Sequence, residues 1–222
     1  MFPPSGKRVL GGRLHMWIGA ALLCHFAGLC TIKLAFGITH EIWWMSHLAL
    51  LLGGAGLLLR SVPVVATALT AILMPHIIWL VDCVGWLASG EFPLGMTCYL
   101  ANANIWTWIG TMHHFYLGPL LAWAVLRHGQ YPARALANAV IIYLYLVIGC
   151  RALLSPAANV NFSYGLPGQF DWPAVHWVNR LPGAVYLLVV TAFMSLAMFL
   201  PTALTLRWCC RKAGPSRPEV TA

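Results

Sequence analysis

Long runs of apolar residues, separated by short polar stretches, dominate this sequence. Each run is near the length of about 20 residues that carries a helix across a bilayer. Short connections favour an up-and-down arrangement of neighbours. The pattern predicts an all-α polytopic membrane protein. Its six-helix membrane domain would cover 14–207, preceded by a short N-terminal segment (1–13) and followed by a basic tail (208–222). The predicted spans are about 14–36, 43–59, 62–88, 102–126, 135–154 and 183–207.

The composition supports a membrane protein and suggests its orientation. Of 222 residues, 60% are hydrophobic and 8% are charged. The net charge of +8 needs no nucleic-acid partner, because ten of the thirteen basic residues fall on one side if both termini do. The positive-inside rule then predicts cytoplasmic termini. We expect the protein to lie in the inner (plasma) membrane if the host is bacterial. The expected partner is membrane lipid. The ten are Lys7, Arg8, Arg13, Arg60, Arg127, Arg134, Arg207, Arg211, Lys212 and Arg217.

Two connections on the predicted outer side, 89–101 and 155–182, are longer than the others. The second is rich in proline, glycine and asparagine and contains Asp171, Trp172 and Trp177. A long aromatic loop in so small a protein is more often a lid or binding loop than spare chain. We therefore expect this loop to lie beside a site.

Five histidines and an aspartate within the predicted spans direct attention to the chemistry. Such side chains are costly in hydrocarbon, and each is a functional-site hypothesis by default. They are His25, His47, His76, His113, His114 and Asp82.

The fourth predicted span carries a polar stripe. Asn104, Thr107, Thr111, His114 and Gly118 recur at intervals of three and four, so they share one helix face. The next residue back, His113, projects about 100° away, towards an apolar face. His114 is therefore the stronger candidate of the adjacent pair. The alternative is a packing seam in which these groups hydrogen-bond between helices.

The second span offers a complementary surface of small residues. Ser46, Ala49, Gly53 and Gly56 recur at three and four, which lets another helix approach closely. One interpretation is tight packing with Ser46 bonded to its own helix. The other places a nucleophilic hydroxyl opposite the histidine.

The third span places His76, Trp79 and Cys83 on one face. Pro75 directly precedes the histidine. A proline at mid-membrane frees a backbone carbonyl and marks a kink. Thus the third span is a second source of site residues.

Asp82 and His47 are expected to be peripheral. Asp82 lies off the stripe of the third span, and we expect it to pair with Arg151, His47 or Lys33. The alternative is an acid that orients a histidine base. His47 is expected to face away from the small-residue surface of Ser46, near the outer interface, where water would hydrate it.

Two short resemblances favour acyl chemistry. The runs at 112–114 and 127–134, with Pro119 between them, resemble the fourth helix and following loop of the androgen-induced protein family. Members of that family are multi-span hydrolases of fatty-acid esters that use a threonine and a histidine. The resemblance implies that His114 is the histidine. No threonine matches the family nucleophile, and Ser46 is the nearest hydroxyl.

Other segments are similar to a second family. The runs at 74–76, 159–162 and 165–167 resemble a bacterial integral-membrane family related to a eukaryotic ether-phospholipid acyltransferase. That group is thought to use a cysteine and a histidine, which implies a role for Cys83.

The favoured function is hydrolysis or transfer of a lipid acyl group inside the membrane. An imidazole can take the proton of a hydroxyl or thiol as it attacks a carbonyl. The predicted catalytic residues are His114 as base, Ser46, Thr111 or Cys83 as nucleophile in that order, and His76. The predicted substrate-binding residues are His113, Asn104, Thr107, Asn161 and Trp79. This interpretation assigns no metal ligand and no cofactor.

Two other classes stay open. Histidines on separate helices, such as His25, His76 and His113 or His114, could bind haem or another metal in a redox or non-enzymatic protein. The polar residues could also line a solute path in a small transporter or channel subunit.

Overall fold

The computed structural model describes residues 12–167 and 172–212, and within those ranges every regular element is helical. Lys7, Arg8, Asp171 and Arg217 lie outside the described residues, as do 1–11 of the predicted N-terminal segment and 213–222 of the tail. A π-helical segment (Met194–Phe199) makes the last two helices continuous. The helices are α1 (Arg13–Ala35), α2 (Met45–Leu58), α3 (Val62–Ser89), α4 (Ile105–Thr111), α5 (His113–His128), α6 (Ala135–Leu153), α7 (Pro173–Asn179), α8 (Gly183–Phe193) and α9 (Leu200–Lys212).

Four helices are long and apolar enough to cross a membrane: Arg13–Ala35, Val62–Ser89, Ala135–Leu153 and the continuous Gly183–Lys212. They match the first, third, fifth and sixth predicted spans, and the last continues five residues beyond the predicted end at 207. The second element, α2, is apolar but has only 14 residues. Its length is about 21 Å, shorter than the hydrocarbon core of about 30 Å.

The predicted fourth span is not one helix. It is divided at Met112 into α4 and α5. Asn104 precedes α4 as its cap, and its Oδ1 accepts the backbone N–H of Thr107 at 2.9 Å. A side-chain acceptor at this position satisfies one of the unpaired donors at a helix start. The stripe from Asn104 to Gly118 therefore spans a cap and two helices.

Glycines allow α2 to lie close to its neighbours. A Cβ on Gly19 would lie 2.8 Å from the carbonyl oxygen of Gly54, so α1 and α2 touch backbone to backbone. A Cβ on Gly53 would meet Leu121 of α5 at 3.0 Å, and one on Gly56 would meet Val65 of α3 at 2.8 Å. Gly53 and Gly56 of the small-residue surface predicted for α2 are thus packed against α5 and α3.

Basic residues gather at one end of the bundle. Arg60 Nη2 lies 3.8 Å from Met16 Sδ, which joins the α2–α3 connection to the start of α1. Arg207 donates to the carbonyl of Ala133 at 3.5 Å, which joins α9 to the α5–α6 connection. At the other end Lys33 forms an ion pair with Glu41. The two ends of the molecule therefore differ in charge.

Asp82 anchors the connection between α3 and α4. Its carboxylate accepts N–H bonds from Leu94 (2.5 Å), Gly95 (3.0 Å) and Thr97 (2.7 Å), and a bond from the Thr97 hydroxyl (2.8 Å). The expected pairing of Asp82 with Arg151, His47 or Lys33 is wrong. Asp82 lies about two turns before the end of α3. The connection that follows α3 therefore folds back to reach its carboxylate.

Asn161 anchors the connection between α6 and α7. Its Oδ1 accepts the N–H of Met45 at 2.8 Å, and its Nδ2 donates to the carbonyl of Trp43 at 2.7 Å. Asn161 has φ +55° and the next residue, Phe162, has φ +57°. Positive φ is unusual for a bulky residue such as Phe162. Tyr186 helps to hold it, since its hydroxyl donates to the Phe162 carbonyl at 2.6 Å.

Candidate functional site

A cavity of about 640 Å³ opens at the end of the bundle that carries the Lys33–Glu41 pair. Its walls come from α2, α3 and the α4–α5 segment. Met96 and Tyr99 of the Asp82-anchored connection and Phe162 and Pro167 of the 155–167 segment also line it. The described part of the predicted binding loop therefore borders the site.

Eight of the ten predicted site residues line this cavity: His114, Ser46, Thr111, His76, Asn104, Thr107, Asn161 and Trp79. The two others are not in its wall. Cys83 is fully buried and packs with Trp79 and Leu100 in a small cluster. His113 lies behind the wall, fully buried.

The five histidines expected in the predicted spans meet, with His113 at the centre. Its ring centroid lies 4.2 Å from that of His114, 5.3 Å from His47, 5.8 Å from His76 and 6.1 Å from His25. The rings of His76 and His114 are 4.4 Å apart. Four helices, α1, α2, α3 and α5, supply these side chains. We call His76, His113 and His114, together with His25 and His47, the histidine cluster.

Backbone carbonyls set the tautomer of three of these rings. A carbonyl can only accept, so each bonded Nδ1 carries the hydrogen and each Nε2 bears the lone pair. Donation of one ring N–H to a carbonyl is how metal-binding histidines are usually held. The bonds are His47 Nδ1 to Glu41 O (2.7 Å), His113 Nδ1 to Gly110 O (2.9 Å) and His114 Nδ1 to Thr111 O (2.9 Å).

Two of the rings are buried and have ring nitrogens without a hydrogen bond to any described residue. Within 12–167 and 172–212, both nitrogens of His76 and Nε2 of His113 make no hydrogen bond, and these side chains are 3% and 0% exposed. Burying an unpaired polar atom is costly, and native proteins seldom do it without a reason. These nitrogens are available to a ligand.

His76, His113 and His114 could hold a metal ion. They offer ring nitrogens that all lie within 4.8 Å of one another. Two nitrogens bound to one ion at about 2.1 Å are at most about 4.2 Å apart, so side-chain shifts of about 1 Å would let the three share an ion. Imidazole suits zinc, copper, iron and nickel.

Trp79 fixes the orientation of His114. The two rings stack with centroids 4.4 Å apart and an interplanar angle of 18°. Trp79 Nε1 donates in turn to the hydroxyl of Tyr99 at 3.0 Å. The histidine cluster is thus connected to the cavity mouth through one indole.

The predicted nucleophiles do not form a pair with a histidine. The Thr111 hydroxyl donates to its own helix, towards the carbonyls of Thr107 (3.0 Å) and Trp108 (3.1 Å). Ser46 lines the cavity. Among the described residues, none of the hydrogen bonds joins the hydroxyl of either residue to an imidazole. This arrangement favours a ligand-binding histidine cluster over a hydroxyl–histidine pair.

His47 and His113 occupy positions that the sequence did not indicate. The expectation that His47 is hydrated near the interface is wrong, because it is 5% exposed and packs against His113. His113 was expected on an apolar face, and α1 covers that face with His25. The signal that could have identified both is the count of intramembrane histidines itself.

No protein-family model, curated protein or solved structure matches this chain. The site's function is therefore inferred from its own geometry.

Proposed function

We propose that this protein is an integral membrane metalloenzyme that hydrolyses or transfers a lipid acyl group. The observation that carries the proposal is the group formed by His76, His113 and His114, in which buried ring nitrogens converge without hydrogen-bond partners. Three imidazoles that leave one position open are typical of catalytic zinc sites.

The chemistry follows from a bound divalent ion. Such an ion lowers the pKa of its water and polarises a carbonyl oxygen. His76, His113 and His114 would hold such an ion, and it would supply activated water for ester hydrolysis, in which the alcohol leaves with the proton that the water loses. His47 is the proposed proton carrier, because it lines the cavity and its Nδ1–H is bonded to Glu41 O, which leaves Nε2 free to accept.

The substrate class rests on the location of the cavity. Two of the four helices that supply the histidine cluster, α1 and α3, are long and apolar enough to cross a membrane, and the cavity wall includes Trp79, Ile72, Met45 and Met194. An apolar wall with a few convergent polar groups suits a hydrophobic ligand. A lipid alcohol that takes the place of water as the acyl acceptor would make acyl transfer an alternative to hydrolysis.

The proposed topology is six membrane-crossing segments with cytoplasmic termini. The short α2 and the divided α4–α5 segment would be the second and fourth segments. The end that holds Arg60 and Arg207 would face the cytoplasm under the positive-inside rule. The cavity would then open to the outer side.

Metal content tests the proposal. Protein purified in mild detergent without added metal should contain about one equivalent of a divalent metal by mass spectrometry. His76→Ala and His113→Ala should each lower this by at least about tenfold, since a lost ligand typically costs far more than a lost outer contact. His176→Ala, at an exposed position, is the control. Metal-free wild type that also fails to bind added Zn²⁺ would contradict the proposal.

The predicted serine mechanism gives a different result. A fluorophosphonate probe that labels wild type, and fails to label Ser46→Ala and His114→Ala, would favour the hydroxyl–histidine pair. A metal-activated water predicts no labelling of well-folded protein.

A redox centre is the second candidate, because all the proposed ligands are imidazoles, which also suit copper and iron. The visible absorption spectrum of the purified protein separates the two. Haem or oxidised copper is coloured, whereas a zinc site is colourless.

A further inference from the structure

A second, smaller groove lies on the outside of the bundle between α1 and the α4–α5 segment. Its volume is about 410 Å³, within the range of about 300–1,000 Å³ that small-molecule sites occupy. Leu29, Ile32, Ile109 and Met112 form its apolar walls. It lies at the point where the helix is divided at Met112.

Gly28 makes room in this groove. A Cβ at Gly28 would meet nothing within 4 Å, so the space in front of it is open. Ile109 and Met112 on the opposite wall are exposed, as is Trp106 one turn before. On a membrane protein, such exposed apolar side chains face lipid. The groove is therefore continuous with the lipid-facing surface.

The inner end of the groove is closed by a polar pair. His25 Nδ1 is hydrogen-bonded to the Tyr116 hydroxyl, and His25 Nε2 lies 3.2 Å from the carbonyl oxygen of Ile109. The same His25 ring meets the ring of His113 edge-on at 6.1 Å. One imidazole thus separates the groove from the centre of the histidine cluster.

We propose that this groove binds one acyl chain of a membrane lipid and that the His25–Tyr116 pair gates its passage to the histidine cluster. The occupant is an acyl chain because the groove faces lipid, is apolar along its walls and has its polar groups, bonded to each other, at the inner end. The proposal rests on the proposed function for what happens beyond the gate. Binding in the groove does not depend on it.

Photo-cross-linking tests the groove. Wild-type protein is placed in nanodiscs of phosphatidylcholine that carries a diazirine in one acyl chain, irradiated, digested and analysed by mass spectrometry. Cross-links should concentrate on α1 and on residues 105–116, several-fold above those on α6 and α8. Gly28→Leu should lower the cross-links in α1 and 105–116 by at least about threefold because its side chain fills the groove.

Gly149→Leu is the matched control. Gly149 is also a helical glycine whose added Cβ would meet nothing within 4 Å, but it lies on α6. This variant should leave the labelling at the groove unchanged. Labelling spread evenly over all lipid-facing helices, or unchanged in folded Gly28→Leu, would overturn the proposal.

Tyr116→Phe tests the gate. Without the hydroxyl the pair cannot form, and cross-links should extend to the α3 segment around His76 and Trp79. Cross-links that stay confined to the groove would overturn the gate. Metal content, measured on the same samples, reports separately on the proposed function. Normal cross-linking in protein that is metal-free and fails to bind added Zn²⁺ would reject the metalloenzyme and keep the groove.

Discussion

Asp82 illustrates how one buried side chain positions part of the site. Its carboxylate accepts four hydrogen bonds from residues 94–97, and it has no exposure to solvent. Asp82→Asn replaces one acceptor oxygen with a donor, so some of these bonds are lost while the volume is kept. Bonds to a charged group contribute about 1.5–3 kcal/mol each, and we expect a loss of about 2 kcal/mol or more in stability.

Hydrogen exchange measures this effect locally. Amides of residues 90–102 should exchange faster in Asp82→Asn, with the remainder of the bundle little changed. Glu91→Gln, an acid-to-amide change at an exposed position in the same connection, should leave exchange as in wild type. Equal protection in Asp82→Asn and wild type would show that the carboxylate does not hold the connection.

The sequence predicted residues of the cavity wall where those residues lie on one face of a single helical stretch. His114 and Thr111 share a polar stripe, and both line the cavity. His47 was misplaced, and the contacts of His113 with histidines of other helices were missed, because periodicity describes one helix and not its neighbours. α1 covers the second face of the α4–α5 segment, and α2 is enclosed on both sides. Asp82 was misplaced because its partners are backbone amides, which leave no mark in a sequence.

At the scale of elements, the approach of α1 to α2 depends on Gly19 and Gly54. Gly19→Leu would place a side chain against the backbone of Gly54 and Leu58, where a Cβ already comes within 2.8 and 3.0 Å. The helices must move apart, and overpacking of this kind typically costs about 1–3 kcal/mol. We expect a lower thermal midpoint in detergent, measured by circular dichroism.

The control again uses Gly149→Leu, where the added side chain meets open space. A similar fall in both variants would assign the effect to leucine in general and not to contact between α1 and α2. The contact of α1 with α2 was not predicted, because Gly54 lies outside the small-residue stripe read from the sequence; the close approach of Gly53 to α5 and of Gly56 to α3 follows that stripe. The division at Met112 was not predicted either, because apolar residues continue through it.

At the scale of the whole molecule, two cysteines near opposite ends of the bundle allow its orientation in the membrane to be tested. Cys98 is exposed in the α3–α4 connection beside the cavity mouth, and Cys209 lies in the last turns of α9, at the arginine-rich end. All seven cysteines lie in the described ranges and are free thiols. Two variants that retain only Cys98 or only Cys209 therefore report on opposite ends of the bundle.

A membrane-impermeant maleimide should label the Cys98-only variant in intact cells and the Cys209-only variant only after lysis. The reason is that an arginine-rich end is retained on the cytoplasmic side of the membrane. Six crossings also require that the start of α1 lies on the same side of the membrane as the end of α9, because an odd number of crossings would place them on opposite sides. A cysteine introduced at Gly12, at the start of α1, should therefore behave like Cys209. Labelling of Gly12→Cys in intact cells would reject the six-crossing topology, in which both termini lie on the side opposite the cavity.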